Sequence, residues 1–152
     1  MKLTKNFSFE EMCSSNAAAR NGLKNRPKTQ EEEATVKANL KALCTEVLQP
    51  LRHHLKRKVM VSSGYRTEEV NKLVGGVQKS QHLVGEAADL RVDSTEHLLK
   101  MMHFIMDETD FDQLIWEKSK SGRQWVHVSH KREGVNRHQV LNAKKEVMFT
   151  TK

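Results

Sequence analysis

Apolar residues recur along the chain at two spacings, and the change from one to the other marks out its elements. Val36, Leu40, Leu43, Val47, Leu51 and Leu55 return at intervals of three or four, which predicts one long amphipathic helix with its stripe facing a core. Thr29-Gln30-Glu31-Glu32 opens that helix as a capping box, with acidic residues in the first turn where the helix dipole favours them. Pro50 falls inside the stripe and supplies no amide, so a kink near Glu46 to Gln49, or a new helical segment from Pro50, is expected. Leu98, Leu99, Met102, Ile105 and Met106 give the apolar side of a second helix, capped at Ser94 or Thr95 and running to about Asp107. Shorter helices are expected after the capping box Ser8-Phe9-Glu10-Glu11 and from Thr67 to the Gly75-Gly76 stop. Residues 14–28, small and polar with Gly22 and Pro27, read as a surface connection.

The other spacing is alternation. Residues 59–62 and 87–92 read as strands, and residues 112–117 and 124–130 as a hairpin joined by the polar loop 118–123. In the tail, Gln139-Val140-Leu141 and Val147-Met148-Phe149 predict one or two edge strands. The expected architecture is a single α+β domain over residues 1–152, with helices packed on one small, largely antiparallel sheet.

Alternation also separates a structural face from a chemical one. Ala88, Leu90 and Val92 point one way and Asp89 the other; Val126 and Val128 point one way and His127 the other. If both strands share a sheet, Asp89 and His127 converge on its polar side, with His82 entering from the preceding loop. Two histidines and one carboxylate leave one position of a tetrahedral zinc open, the pattern of a catalytic site. His130 is expected on the opposite face from His127, His97, His103 and His138 on the surface, and His53 and His54 on a solvated basic face.

Composition narrows the partners. The formal charge of +7 favours an anionic partner, but the basic residues are dispersed and aromatics are only 5%, which argues against nucleic acid. No apolar run is long enough for a membrane span. Without an apolar leader the chain is expected to be cytoplasmic as synthesised, reaching the cell wall only by release. Cys13 and Cys44 lack metal spacing and read as reduced, partly buried thiols.

Ser63-Gly64-Tyr65-Arg66, Gly75-Gly76, Ser80-Gln81-His82-Leu83, Gly85-Glu86-Ala87-Ala88-Asp89 and Trp125-Val126-His127-Val128 stand in the order seen in one family. Over about residues 59–130 the chain resembles the zinc D-alanyl-D-alanine carboxypeptidases, peptidoglycan metallopeptidases that include D,D-dipeptidases and phage L-alanyl-D-glutamate endolysins. The resemblance implies one Zn2+ held by His82, Asp89 and His127, and substrate binding by Arg66. It further implies action on peptidoglycan stem peptides or D-Ala-containing peptides, and the chain is expected to be a monomer. Several relatives carry a carboxylate general base three residues before the last histidine, where this chain has Gln124, which cannot accept the proton. Glu117 is the nearest carboxylate with the reach to replace it. Hairpin register decides the matter: pairing with Trp125 or Arg123 turns Glu117 to the metal side, and pairing with Gln124 turns it away. The alternatives are a non-catalytic wall- or metal-binding module that retains the ligands, and a basic nucleic-acid-binding domain.

Overall fold

The caps expected from the sequence form as hydrogen bonds in the computed structural model, which describes residues 1–151. Ser8 Oγ accepts from Glu11 N to open α1 (Phe9–Met12), and Thr29 Oγ1 from Glu32 N to open α3 (Gln30–Leu43). Thr67 Oγ1 opens α5 (Glu68–Leu73) and Ser94 Oγ opens α6 (Thr95–Glu108) in the same way. The stripe after Thr29 bends as expected: α3 passes into a π-helical turn, Cys44–Leu48, before α4 (Gln49–Leu55). The wide turn sits just ahead of Pro50, where the i→i−4 ladder must lose a donor, and it keeps Leu43, Val47, Leu48 and Leu51 fully buried.

Two short pieces depart from the expectation. Residues 14–28 are not a plain connection, because Ser15 Oγ caps α2 (Asn16–Arg20) over the alanine run Ala17-Ala18-Ala19. The N-terminus adds a small hairpin, β1 (Lys2–Thr4) with β2 (Phe7–Ser8), which buries Leu3 and Phe7.

The main sheet orders its strands β3 (Val61–Ser63), β4 (Ala87–Arg91), β6 (Gln124–Ser129), β5 (Gln113–Lys118), β7 (Gln139–Leu141) and β8 (Val147–Thr150). Every pairing is antiparallel except β5 with β7, so the architecture is α+β on a largely antiparallel sheet. The tail is only partly an edge. β8 is the border strand, but β7 lies inside the sheet, tied to β5 on one side and β8 on the other. Arg137 fastens it there: its backbone N, Nε and Nη2 donate at 2.9, 2.9 and 2.8 Å to Asp112, a carboxylate with no solvent exposure.

One face of the sheet is the core. Ala88, Leu90, Leu114, Val126 and Val128 are fully buried with Leu40, Leu51, Leu98 and Ile105 from the long helices. Cys13 and Cys44 belong to this core and are free and buried, Cys44 completely; burial pushes their thiols up to about 11 and about 12. Among the described residues no helix is long and apolar enough to cross a membrane. The opposite face carries the chemistry.

Candidate metal centre

His82 is fixed before any ligand arrives. Its loop is a 3-10 turn, Gln81–Val84, capped by Ser80, whose Oγ accepts from His82 N at 3.1 Å. The His82 carbonyl accepts from Arg66 N at 3.0 Å, and its ring Nδ1 lies 2.6 Å from the carbonyl oxygen of Gly64. That contact makes Nδ1 the donor and turns the lone pair of Nε2 toward the sheet. Gly64 must be glycine here, because a Cβ would stand 2.4 Å from the Met12 carbonyl oxygen.

Asp89 and His127 come from neighbouring strands. In the β4/β6 ladder they are directly opposed, so the alternation that buries Ala88, Leu90, Val126 and Val128 brings both to the other face. Asp89 Oδ1 lies 3.0 Å from His127 Nδ1 and 3.4 Å from His82 Nε2. The ligand atoms of all three residues fall within 4.8 Å of one another, the one such cluster among the described residues.

The donor set fits zinc. His82 Nε2 is buried and has no hydrogen-bond partner among the described residues, the kind of orphan that a cation satisfies. Burial lowers the His82 imidazole, despite the pull of Asp89. Burial works against ionisation of Asp89, yet the His82 and His127 imidazoles outweigh it and hold the carboxyl well below the usual range. Burial favours the neutral imidazole at His82, and the hydrogen bonds that Asp89 accepts favour its ionised carboxylate, the states a metal ligand requires. His82, Asp89 and His127 therefore form a zinc-binding triad.

The model of the family described as Peptidase M15 matches residues 5–129. The chain belongs to the M15 peptidase family. A comparison with curated proteins returns no match to it. Family and triad together make it a zinc-dependent metallopeptidase of the D-Ala-D-Ala carboxypeptidase-like class.

In this M15 peptidase the triad lies in a cleft of about 630 Å³, which Arg66, Ile115, Glu117 and Trp125 also line. Arg66 is committed to more than the cleft. Its Nη2 donates to Asp89 Oδ2 at 3.0 Å, Nε to Ser63 Oγ at 2.9 Å and Nη1 to Asn71 Oδ1 at 3.0 Å. It thus orients a metal ligand from behind, in addition to the substrate role that the resemblance implies. Gly76 allows this packing, since a Cβ there would come within 2.0 Å of Asn71 Oδ1 and 2.9 Å of Arg66 Nη1. Asn71 carried no sequence signal of its own.

Glu117 pairs with Trp125 in the β5/β6 ladder, the register that turns it to the metal side. It is the diagonal neighbour of His127, which is itself opposite Ile115, and its carboxylate pairs with Lys145. Gln124 pairs with Lys118 and faces away; its Oε1 accepts from Trp116 Nε1 at 2.6 Å. The remaining histidines stay out of the site. His103 is exposed, as expected. His97 is not a surface residue: it is buried with Nδ1 3.1 Å from Asp93 N, whereas His138 is half-buried and its Nε2 meets Asp110 Oδ1 at 2.5 Å. His130 is buried too, its Nδ1 2.6 Å from the Asp110 carbonyl oxygen. His54 is exposed as expected but stacks on Phe104, with centroids 4.4 Å apart.

Proposed function

We propose that this chain hydrolyses a peptide bond in peptidoglycan stem peptides, as a D,D-carboxypeptidase or an L-alanyl-D-glutamate endopeptidase. The observation that carries this reading is the shared placement of Glu117 and the zinc triad in one cleft, through the pairing of Glu117 with Trp125. Zinc held by the triad supplies Lewis acidity and lowers the pKa of a coordinated water to about 7.

The chain's own groups complete the chemistry. Glu117 is assigned as general base. Its Oε1 faces Lys145, while Oε2 accepts no hydrogen bond from the described residues and is available to take a proton from the attacking water. The same carboxyl then returns that proton to the leaving nitrogen. Arg66 uses three of its donor atoms on Ser63, Asn71 and Asp89, and its remaining N–H groups are assigned to a substrate carboxylate. Four cationic side chains, Arg66, Lys79, Arg137 and Lys145, border the cleft against the carboxylates of Asp89 and Glu117, a balance suited to an anionic peptide.

The test is digestion of purified peptidoglycan with and without a chelator, read by mass spectrometry. Released D-alanine marks the carboxypeptidase reaction, and new L-alanine carboxyl termini mark the endopeptidase. Peptidoglycan left intact by the zinc-loaded protein, with binding retained, would replace the reading with a non-catalytic wall-binding module.

A further inference from the structure

The wall of the cleft opposite Arg66 comes from outside the matched family region, which ends at residue 129. Strand direction brings it there. Because β5 and β7 run parallel, with Ile115 opposite Leu141, their C-terminal ends coincide and the turn after Leu141 stands beside Glu117.

That turn is closed on itself. Asn142 N donates to the Glu146 carbonyl oxygen at 3.0 Å, and Lys145 N to that of Asn142 at 2.9 Å. The Asn142 side-chain oxygen accepts from the amides of Lys144 at 2.9 Å and Glu146 at 3.1 Å. Lys145, at its tip, has φ 65, a conformation that glycine adopts without steric cost and lysine does not. Its ammonium reaches into the cleft and pairs with Glu117, whose side chain is only 15% exposed. A charged residue therefore occupies a position the backbone would give to glycine, and its one ion pair among the described residues is with the assigned base.

We propose that Lys145 is a positioning residue, holding the Glu117 carboxylate over the metal side of the sheet in the orientation the reaction needs. This rests on the reading of Glu117 as general base. The ammonium fixes Oε1 and leaves Oε2 without a partner among the described residues, an arrangement that a flexible glutamate would otherwise keep for only part of the time.

Lys145→Gly separates function from folding, because it removes the ammonium and relieves the backbone at once. On a synthetic stem pentapeptide that contains both an L-alanyl-D-glutamate and a D-alanyl-D-alanine bond, it should lower kcat about tenfold with KM nearly unchanged. Tm should hold or rise, and zinc content should stay at the parent level. Lys145→Arg should recover most of the loss. Glu117→Gln should be slow by itself, and adding Lys145→Gly to it should cost nothing more, since the base to be positioned is already gone. A crystal structure of the zinc-loaded Lys145→Gly variant should find the Glu117 carboxylate turned from its place. Parent kinetics in Lys145→Gly alongside an inactive Glu117→Gln overturns the positioning role and leaves the base assignment intact. A raised KM with unchanged kcat overturns it in favour of a direct substrate contact. Normal turnover in Glu117→Gln removes both readings.

Discussion

Asp89 and His127 face each other directly across two antiparallel strands, with Oδ1 and Nδ1 3.0 Å apart, so the sheet ladder itself sets the spacing of two of the metal ligands. The third, His82, is held by hydrogen bonds at its backbone N, its carbonyl and its ring Nδ1. The fold thus places each ligand through contacts of the protein's own. Alanine at His82, Asp89 or His127 should therefore abolish stoichiometric zinc binding while the fold survives, as read by metal analysis and circular dichroism. Parent-level zinc in all three variants would place the metal elsewhere. Chelation of the parent should lower its stability by the binding free energy, about 2.7 kcal/mol at a free zinc concentration one hundred times Kd.

Arg66→Lys distinguishes two duties of one side chain. An ammonium cannot span Ser63, Asn71 and Asp89 at once as the guanidinium does. If orienting Asp89 dominates, zinc affinity should fall by about ten- to a hundredfold, the usual cost of losing a group that orients a ligand. If a substrate carboxylate dominates, zinc affinity should hold while kcat/KM falls about tenfold or more. Isothermal titration with zinc and steady-state kinetics on the same preparation separate the two. Unchanged values in both would leave Arg66 without either duty.

The ligands were legible in the sequence because strand alternation is a strong rule. Once residues 87–92 and 124–130 read as strands with Ala88, Leu90, Val126 and Val128 inward, Asp89 and His127 had to face the other way. The side taken by Glu117 was not legible, since it turns on register, and a loop such as 118–123 allows more than one. Lys145 was hidden more deeply. It lies in a polar turn, and it meets the cleft only because β7 joins β5 in parallel, a pairing that no local pattern announces. The buried His97 was misread for a related reason: short-range polarity placed it outside, whereas tertiary packing closed over it. The helix α2 and the β1/β2 hairpin were too short to leave a periodic signal.

Asp112 should anchor the C-terminal segment in a pH-dependent way. Burial pushes its carboxyl up, but the hydrogen bonds and charge of Arg137 prevail and hold it below the ordinary value. A carboxyl lowered by folding stabilises the protein above its unfolded pKa, about 3.9, and loses that contribution as pH falls through the folded value. Asp112→Asn should thus cost about 1 to 3 kcal/mol at neutral pH in denaturant titrations. The partial exposure of Arg137 keeps the cost toward the lower end. The gap between variant and parent should narrow below about pH 4. A gap of constant size down to about pH 2 would mean that the residue acts through packing alone.

Gln124 stands at the position where the resemblance places a carboxylate base in several relatives, and the ladder explains why restoring a carboxylate there should not help. Lys118 opposite Gln124 and Trp116 opposite Val126 belong to the face turned away from the metal, whereas Glu117 opposite Trp125 belongs to the metal face. The Gln124 side chain is already engaged, accepting from the Trp116 indole at 2.6 Å, and it borders a separate, smaller pocket with Arg91 and Arg123. A glutamate would keep the indole bond and gain those cations, so Gln124→Glu should fold normally and leave turnover within about twofold. Glu117→Gln should bind zinc as the parent does and lose at least about a hundredfold in kcat, the scale of one general base. In the double variant the carboxylate at position 124 should rescue nothing, because one residue along a strand reverses the face and no rotamer of a glutamate carries it through the sheet. Recovery of turnover in Glu117→Gln/Gln124→Glu would require the strand to shift register or bulge near Gly122, and amide exchange across β5 and β6 would reveal that rearrangement.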